Sequence, residues 1–447
     1  MPLTVAIVGR PNVGKSTLFN RLAGKKLAIV HDTPGVTRDR QDAPAELGPL
    51  SLRLIDTAGL DDALPGTLPA RMIEQTGDAI RAADVCLFLI DGRAGLTTGD
   101  ETIASALRRA DKPVILVANK CEAPRSVDIS ESYRLGFGEP VMISAEHGLG
   151  LGELLDAMVP FAAEPETALP PEAEDGARPL KLAIVGRPNV GKSSLFNRLI
   201  GEERALTGPE PGITRDAIAA TWFIDGRTVL LHDTAGLRKR ARVRGEAIEE
   251  LAVESTLNAI RFAECVAVVI DATAAFEKQD LTIADLVARE GRAIVFAVNK
   301  WDLVDNPVGA IGKLKRLLDD LLPQIAGAPL VAVSALTGEG IDRLLPVMLV
   351  ADAAWNRHIP TAELNRFLER ALERHPPPAV HGRRVRVRYI TQPKIRPPTF
   401  ALFGTQLKAL PDSYLRYLQN ELRAAFGLTG TSIRFSLRTA ANPYARK

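Results

Sequence analysis

The stretch LTVAIVGRPNVGKSTLFNRL (3–22) reads as a short apolar strand, a glycine-bearing loop and the first turns of a helix, and it returns as LKLAIVGRPNVGKSSLFNRL (180–199). The loop needs glycine because backbone N–H groups must wrap phosphate oxygens with no Cβ in the way, at a helix N-terminus whose dipole favours anions. In the first copy it comprises Gly9, Arg10, Pro11, Asn12, Val13, Gly14, Lys15 and Ser16, with Thr17 next. In the second it comprises Gly186, Arg187, Pro188, Asn189, Val190, Gly191, Lys192 and Ser193, with Ser194 next. Lys15 and Lys192 are placed to reach β- and γ-phosphates, and Ser16 and Ser193 to hold Mg²⁺.

Working outward, DTAG at Asp56, Thr57, Ala58 and Gly59 recurs at Asp233, Thr234, Ala235 and Gly236 with the same interval of 177 residues, as does the threonine of PGVTRD and PGITRD (Thr37, Thr214). NKCE (Asn119, Lys120, Cys121, Glu122) and NKWD (Asn299, Lys300, Trp301, Asp302) are 180 apart, and the SA pairs Ser144–Ala145 and Ser334–Ala335 are 190 apart. Fixed elements separated by loop insertions produce such drift, so the chain is read as a duplicated domain. Each copy alternates apolar strands with helical stretches, which predicts a doubly wound α/β fold with a mostly parallel sheet.

The carboxylate of Asp302 can accept from guanine N1–H and its exocyclic amine, a pattern adenine lacks. Glu122 keeps the charge in the first copy on a longer arm, and Ala145 and Ala335 offer backbone N–H groups to the base oxygen. A single phosphate-loop match fits an ATPase equally well; four further motifs in order, twice over, point to GTP, although one copy could bind nucleotide without hydrolysing it. Many GTPases place a glutamine just after the D-x-x-G glycine to orient water. This chain has Leu60 and Leu237 there. Asn12 and Asn189 are therefore candidate ligands for a monovalent cation such as K⁺ that supplies the missing positive charge.

At 447 residues and 46% hydrophobic content the chain suits about three globular domains. Three cysteines without a C-x-x-C pair exclude a disulfide framework or zinc knuckle; Cys86 and Cys265 sit in apolar runs and read as buried and inert. No apolar stretch approaches the ~18 residues of a membrane span, and a cytoplasmic, soluble, monomeric protein is expected. The boundaries expected are a first G domain at 1–161, an acidic Pro-rich linker at 162–179, a second G domain at 180–352 and a small domain at 353–447.

That last segment carries 17 Lys and Arg against 5 Asp and Glu, so the net charge of +2 divides into +12 there and −10 over the rest. It suggests a polyanionic partner. Its pattern is α-β-β-α-β, with Arg384, Arg386 and Arg388 expected in a row on one strand face, read either as a phosphate-backbone contact or as a solvated face. GLTG (427–430) matches a G-x-x-G loop formally, but its position between a helix and a strand favours a helix cap and turn. After the second DTAG, Arg238, Lys239 and Arg240 make a basic segment that is a candidate RNA contact, where the first copy has Asp61 and Asp62.

GRPNVGKS, PG(V/I)TRD, DTAG, NK-x-(D/E) and SA, each present twice and followed by a basic domain with PDSY and a terminal NPYARK, resemble the Der (EngA) family of double-Era-like bacterial GTPases over nearly the whole chain. The resemblance implies two G domains, a KH-like C-terminal domain, GTP hydrolysis to GDP and phosphate, and a role in maturation of the large (50S) ribosomal subunit through contacts with rRNA and ribosomal proteins. It implies Thr37, Asp56, Thr214 and Asp233 as further Mg²⁺ ligands, and Asn12, Lys15, Thr37 and Gly59, with Asn189, Lys192, Thr214 and Gly236, as catalytic positions. A GTP-regulated binding scaffold with incidental hydrolysis is the competing reading.

Overall fold

The computed structural model describes residues 2–23, 42–48, 50–56, 77, 79–110, 112–122, 131–162, 179–201, 218–224, 227–232, 256–380 and 383–439. The chain divides into two compact units, Met1–Ala168 and Leu169–Lys447. The expected linker between Ala162 and Pro179, both PG-x-TRD segments with Thr37 and Thr214, Thr57 to Asp62 and Asp233 to Arg240 lie outside the described residues. Asp56 and Arg384 are described by their backbone only.

In the first unit the elements run β1 (Leu3–Val8), α1 (Lys15–Ala23), β2 (Asp42–Leu47), β3 (Leu50–Asp56), β4 (Val85–Asp91), α2 (Thr98–Arg109), β5 (Val114–Asn119), β6 (Val141–Met142) and α3 (Leu151–Met158). They form one six-stranded sheet in the order β2-β3-β1-β4-β5-β6, antiparallel only between β2 and β3. Every residue of VCLFLID in β4 is buried, as expected of a central parallel strand covered on both faces.

The second unit repeats the plan with β7 (Leu180–Val185), α4 (Lys192–Gly201), β8 (Ile218–Ile224), β9 (Arg227–His232), β10 (Cys265–Asp271), α5 (Lys278–Arg289), β11 (Ala293–Asn299), α6 (Ala310–Leu321), β12 (Leu330–Ala332) and α7 (Ile341–Trp355). The sheet order, β12-β11-β10-β7-β9-β8, is the first sheet read from its other edge. Helix α7 crosses the boundary expected at 352 and ends at Trp355, because its apolar face continues to pack on the second sheet through Met348, Ala351 and Trp355.

Beyond it lie α8 (Thr361–Arg374), a short hairpin of β13 (Ala379–Val380) and β14 (Arg383–Arg384), β15 (Arg386–Lys394), β16 (Thr399–Thr405), α9 (Asp412–Phe426) and β17 (Arg434–Thr439). The three-stranded sheet β15-β16-β17 pairs antiparallel at β15/β16 and parallel at β16/β17, with α9 as the crossover. Its core joins Leu364, Phe367 and Leu368 of α8 to Phe400 and Leu402 of β16 and Leu418 and Leu422 of α9. Gly427 closes α9 in the left-handed conformation at φ 59°, so GLTG is a cap and turn.

The expected single strand carrying Arg384, Arg386 and Arg388 is corrected. Arg384 pairs with Ala379 in the hairpin, and β15 begins at Arg386 with a register shift between Val387 and Tyr389. The extra residue turns Arg388 and Tyr389 both outward and returns Ile390 to the core at 1% exposure. Two arginines of β15, not three in a row, therefore share the exposed face.

This last region docks at the amino ends of β10 and β11. Ile294 N donates to Gly430 O at 2.7 Å and Arg434 Nη2 to Arg289 O at 2.7 Å. Burial lowers the Arg423 guanidinium to about 10, and it donates to Gln324 O and, at 2.8 Å, to Asn420 Oδ1. The nucleotide motifs occupy the opposite, carboxyl ends of the same strands.

Candidate functional site

Each phosphate loop connects a largely buried strand to a helix, and glycine stands where the backbone leaves no room for a Cβ. Gly14 and Gly191 have φ of +97° and +92°, and a Cβ on either would collide with the amide nitrogen of Asn119 or Asn299. Those asparagines are the keystones. Asn119 Nδ2 donates to Val13 O at 2.8 Å while its Oδ1 accepts from Ala145 N at 2.9 Å; Asn299 makes the same pair with Val190 O at 2.8 Å and Ala335 N at 2.9 Å. One buried side chain thus ties the loop expected to wrap phosphate to the loop expected to meet the base.

Lys15 is 4% exposed, and its ammonium donates to Gly9 O at 2.9 Å and Arg10 O at 3.1 Å, while Lys192 donates to Arg187 O at 2.6 Å. Both ammoniums therefore lie inside the loop they are expected to serve. Ser16 and Ser193, the second residues of α1 and α4, are exposed, as are Thr17 and Ser194. Asn12 and Asn189 both adopt φ 65°. Val13 and Val190 are buried, so they offer only backbone to a ligand, and Trp301 packs into the second core.

Lys120 and Lys300, at φ 66° and 62°, turn back toward the strand beside them. Lys120 Nζ meets Asp91 Oδ2 at 2.7 Å and Asn12 O at 2.7 Å; Lys300 Nζ meets Asp271 Oδ2 at 2.6 Å. Burial alone would raise the Asp91 carboxyl, but hydrogen bonds from Lys120 and the Arg93 and Ala94 N–H groups hold it below the usual carboxylate range. At Asp271 burial is likewise outweighed by Lys300 and Thr273. These two aspartates went unremarked in the sequence, although both end an apolar strand and are 180 residues apart, the interval of the NK motifs.

Arg10 and Arg187 turn their guanidiniums away from the loop. Arg10 Nε lies 3.4 Å from Asp100, a fully buried carboxylate that closes a capping box with Thr97 at the start of α2. Arg187 lies 3.4 Å from Asp280 and 3.2 Å from Glu277, the capping box of α5. Burial raises the Asp280 carboxyl even with Arg187 beside it.

The copies part at the carboxylate expected to read the base. Asp302 Oδ1 accepts from Ser334 Oγ at 2.5 Å, whereas Glu122 Oε1 pairs with Arg93, and Glu122 Oε2 is buried without a hydrogen-bond partner among the described residues. Thr273 occupies the position of Arg93 in the second copy. The cysteines are inert here: burial pushes Cys86 up to about 11, Cys121 up to about 12 and Cys265 well above its ordinary value.

Residues 4–120 and again 181–300 match the family described as 50S ribosome-binding GTPase, residues 253–353 match the elongation factor Tu GTP-binding domain, and residues 358–438 match the KH-domain-like C-terminal region of EngA bacterial GTPase enzymes. GTPase Der of Rhodopseudomonas palustris (strain TIE-1) is 55% identical over 455 residues, covering 100% of this chain and 99% of that relative. GTPase Der of Bradyrhizobium sp. (strain BTAi1) is 55% identical over 452 residues with the same coverage. Among solved structures, a variant of Aquifex aeolicus Era bound to GDP and aluminium fluoride covers 60% of this chain and 95% of its own at 19% identity, with a TM-score of 0.31.

Proposed function

Because the chain belongs to the Der (EngA) family and is a GTPase that binds guanine nucleotide, we propose that it couples GTP hydrolysis at two sites to maturation of the large ribosomal subunit through nucleotide-dependent domain rearrangement. The observation that carries this reading is a complete phosphate-to-base frame, Asn119 in one copy and Asn299 in the other, repeated in a chain whose second copy is fused to a strongly basic domain. Precursors of that subunit, with their rRNA and proteins, fit the charge, and the protein acts on them as a cytoplasmic monomer.

The nucleotide is held by backbone N–H groups of both phosphate loops and by Lys15 and Lys192, and its base by Glu122 or Asp302 with Ala145 or Ala335. An oxygen-only donor set of exposed hydroxyls, Ser16 and Ser193, joined by Thr37, Asp56, Thr214 and Asp233, suits Mg²⁺. Bound there, Mg²⁺ neutralises charge on the β- and γ-phosphates. A monovalent cation at Asn12 and Asn189 answers the leucines that follow each DTAG, and equal rates in sodium and potassium buffers would count against it.

For rRNA, the exposed face of the C-terminal sheet offers Arg386 and Arg388 beside Tyr389, which is 43% exposed and lies 5.8 Å centroid to centroid from Phe403. Arg438 lies over the Phe403 ring at 5.4 Å. Such a surface suits phosphates and unstacked bases together. The test is co-sedimentation with large-subunit precursors: retention with a non-hydrolysable GTP analogue but not with GDP is expected, weakened in Arg386→Ala with Arg388→Ala. Equal retention in both nucleotide states overturns the coupling. The missing glutamines favour one second reading, a GTP-regulated scaffold, which predicts phosphate release that precursors leave unchanged.

A further inference from the structure

The two guanine sites differ at paired positions, and the pairing has a physical logic. Where the second copy has Asp302 and Thr273, the first has Glu122 and Arg93. In the second copy the short carboxylate reaches the hydroxyl of Ser334, which anchors Oδ1 at 2.5 Å. In both copies that serine hydroxyl accepts from a backbone N–H three residues on, Ser144 Oγ from His147 N at 3.4 Å and Ser334 Oγ from Thr337 N at 3.1 Å, but in the first the anchor of Glu122 Oε1 is the Arg93 guanidinium. Each site therefore fixes one carboxylate oxygen with a donor and leaves the other. At Glu122 that second oxygen, Oε2, is buried and without a hydrogen-bond partner among the described residues, a costly arrangement unless a ligand donor completes it.

We propose that Arg93 is the specificity-determining, positioning residue of the first guanine site, holding Glu122 so that its free oxygen accepts from the base. The proposal rests on the guanine-site reading of Glu122. Arg93 emerges two residues after Asp91, whose carboxylate accepts from the Arg93 N–H at 2.9 Å, so its backbone is fixed by the same aspartate that holds Lys120. Its side chain is 52% exposed against 19% for Glu122, so replacing it removes an anchor without opening the core.

The full-length chain carrying Asp302→Asn serves as parent, because the second site then no longer reads guanine and a GDP titration reports the first. Inosine diphosphate, which lacks the exocyclic amine, is the comparison ligand. Arg93→Thr in that parent is expected to weaken GDP by about tenfold and inosine diphosphate by less, collapsing the ratio of the two affinities. Arg93→Lys should retain part of the ratio. Adding Glu122→Asp to Arg93→Thr should restore it, since a shorter carboxylate comes within reach of Ser144 as Asp302 does of Ser334. An unchanged GDP-to-inosine ratio in Arg93→Thr, or tighter GDP binding, which would mark Arg93 as a competitor of the base, overturns the role of Arg93 alone. A parent that takes up no GDP overturns the guanine-site reading and this proposal together.

Discussion

In the first G domain the carboxylate proposed to read the base is anchored by an arginine and the phosphate-loop arginine meets one buried carboxylate. In the second, a serine hydroxyl does the anchoring and the loop arginine meets two carboxylates, Asp280 and Glu277. The asparagine bridge between these corners is repeated at 2.8 and 2.9 Å in both copies. Duplication has thus kept the asparagine frame and varied the partners of the charges at these two corners. A frame bond lost leaves buried backbone groups bare, whereas a charge can be rebalanced by a neighbour, as Arg93 does for Glu122.

The largest expected break in the symmetry is at the loop arginines. Asp100 keeps a 2.8 Å bond from the Thr97 hydroxyl when Arg10 is removed, but Asp280 has Glu277 at the corresponding place, a second negative charge. Arg187→Leu should therefore cost about 3 kcal/mol and Arg10→Leu about 2 kcal/mol, since stripping the partner from a buried carboxylate is far worse than losing an exposed pair. Amide exchange in residues 278–289 against 98–109 reads the two effects in one protein. The pH dependence sharpens it. Asp280 already titrates above the ordinary carboxylate value of 3.8 because it is buried. An acid whose folded-state value is raised gains stability as pH falls toward its unfolded value, so mild acid should rescue Arg187→Leu. A larger loss in Arg10→Leu would reverse the comparison.

Next in size is the loss of either phosphate-loop lysine. Lys15→Ala and Lys192→Ala should each weaken nucleotide about 10- to 100-fold at their own site and leave the other unchanged, the worth of a charge-assisted hydrogen bond. Calorimetric titration with GDP and a GTP analogue resolves the two sites. A lysine loss that weakens both sites equally would show that the copies do not act as separate frames.

Most of the frame was legible because the chain states it twice. Intervals of 177 and 180 residues tie the motifs to fixed elements, and sheet order follows from strands that read apolar throughout. What escaped the sequence depended on contacts between chain-distant neighbours. Asp91 and Asp271 carry the same 180-residue signal as the NK motifs, but an aspartate ending an apolar strand looks like a strand terminus until a lysine 29 residues on is seen to reach it. Arg93 escaped because it lies where the copies differ, and repetition is silent there. The arginine row in RRVRVRYI failed for another reason. Alternation gives a period, but the bulge at Arg388 is set by which of Tyr389 and Ile390 the core has room for. At the boundary expected at 352 composition changes, while the apolar stripe of α7 runs on to Trp355.

The smallest expected effect is the one that should be equal in both halves. Asp91 and Asp271 are held below the ordinary carboxylate value by hydrogen bonds from Lys120 or Lys300 and from the following turn, against the opposing push of burial. A carboxylate with a lowered folded-state value contributes stability that is complete above 3.8 and is lost as pH falls through the lowered value. Neither tether should loosen between neutral pH and about pH 4. Below it both should go together. Each lysine is 35% exposed, so solvent screening limits the worth of either pair to about 1 kcal/mol or less. Asp91→Asn and Asp271→Asn should therefore cost that amount at neutral pH and progressively less as pH falls below 3.8 through the lowered folded-state values, measured by urea unfolding with amide exchange in β4 and β10. Arg93 adds a condition on the first half. Its N–H is bonded to Asp91, so Asp91→Asn should also loosen the anchor of Glu122 and weaken GDP there, whereas Asp271→Asn has no arginine to release. A GDP effect confined to Asp91→Asn would join the two differences between the copies into one mechanism, and equal effects in both would separate them.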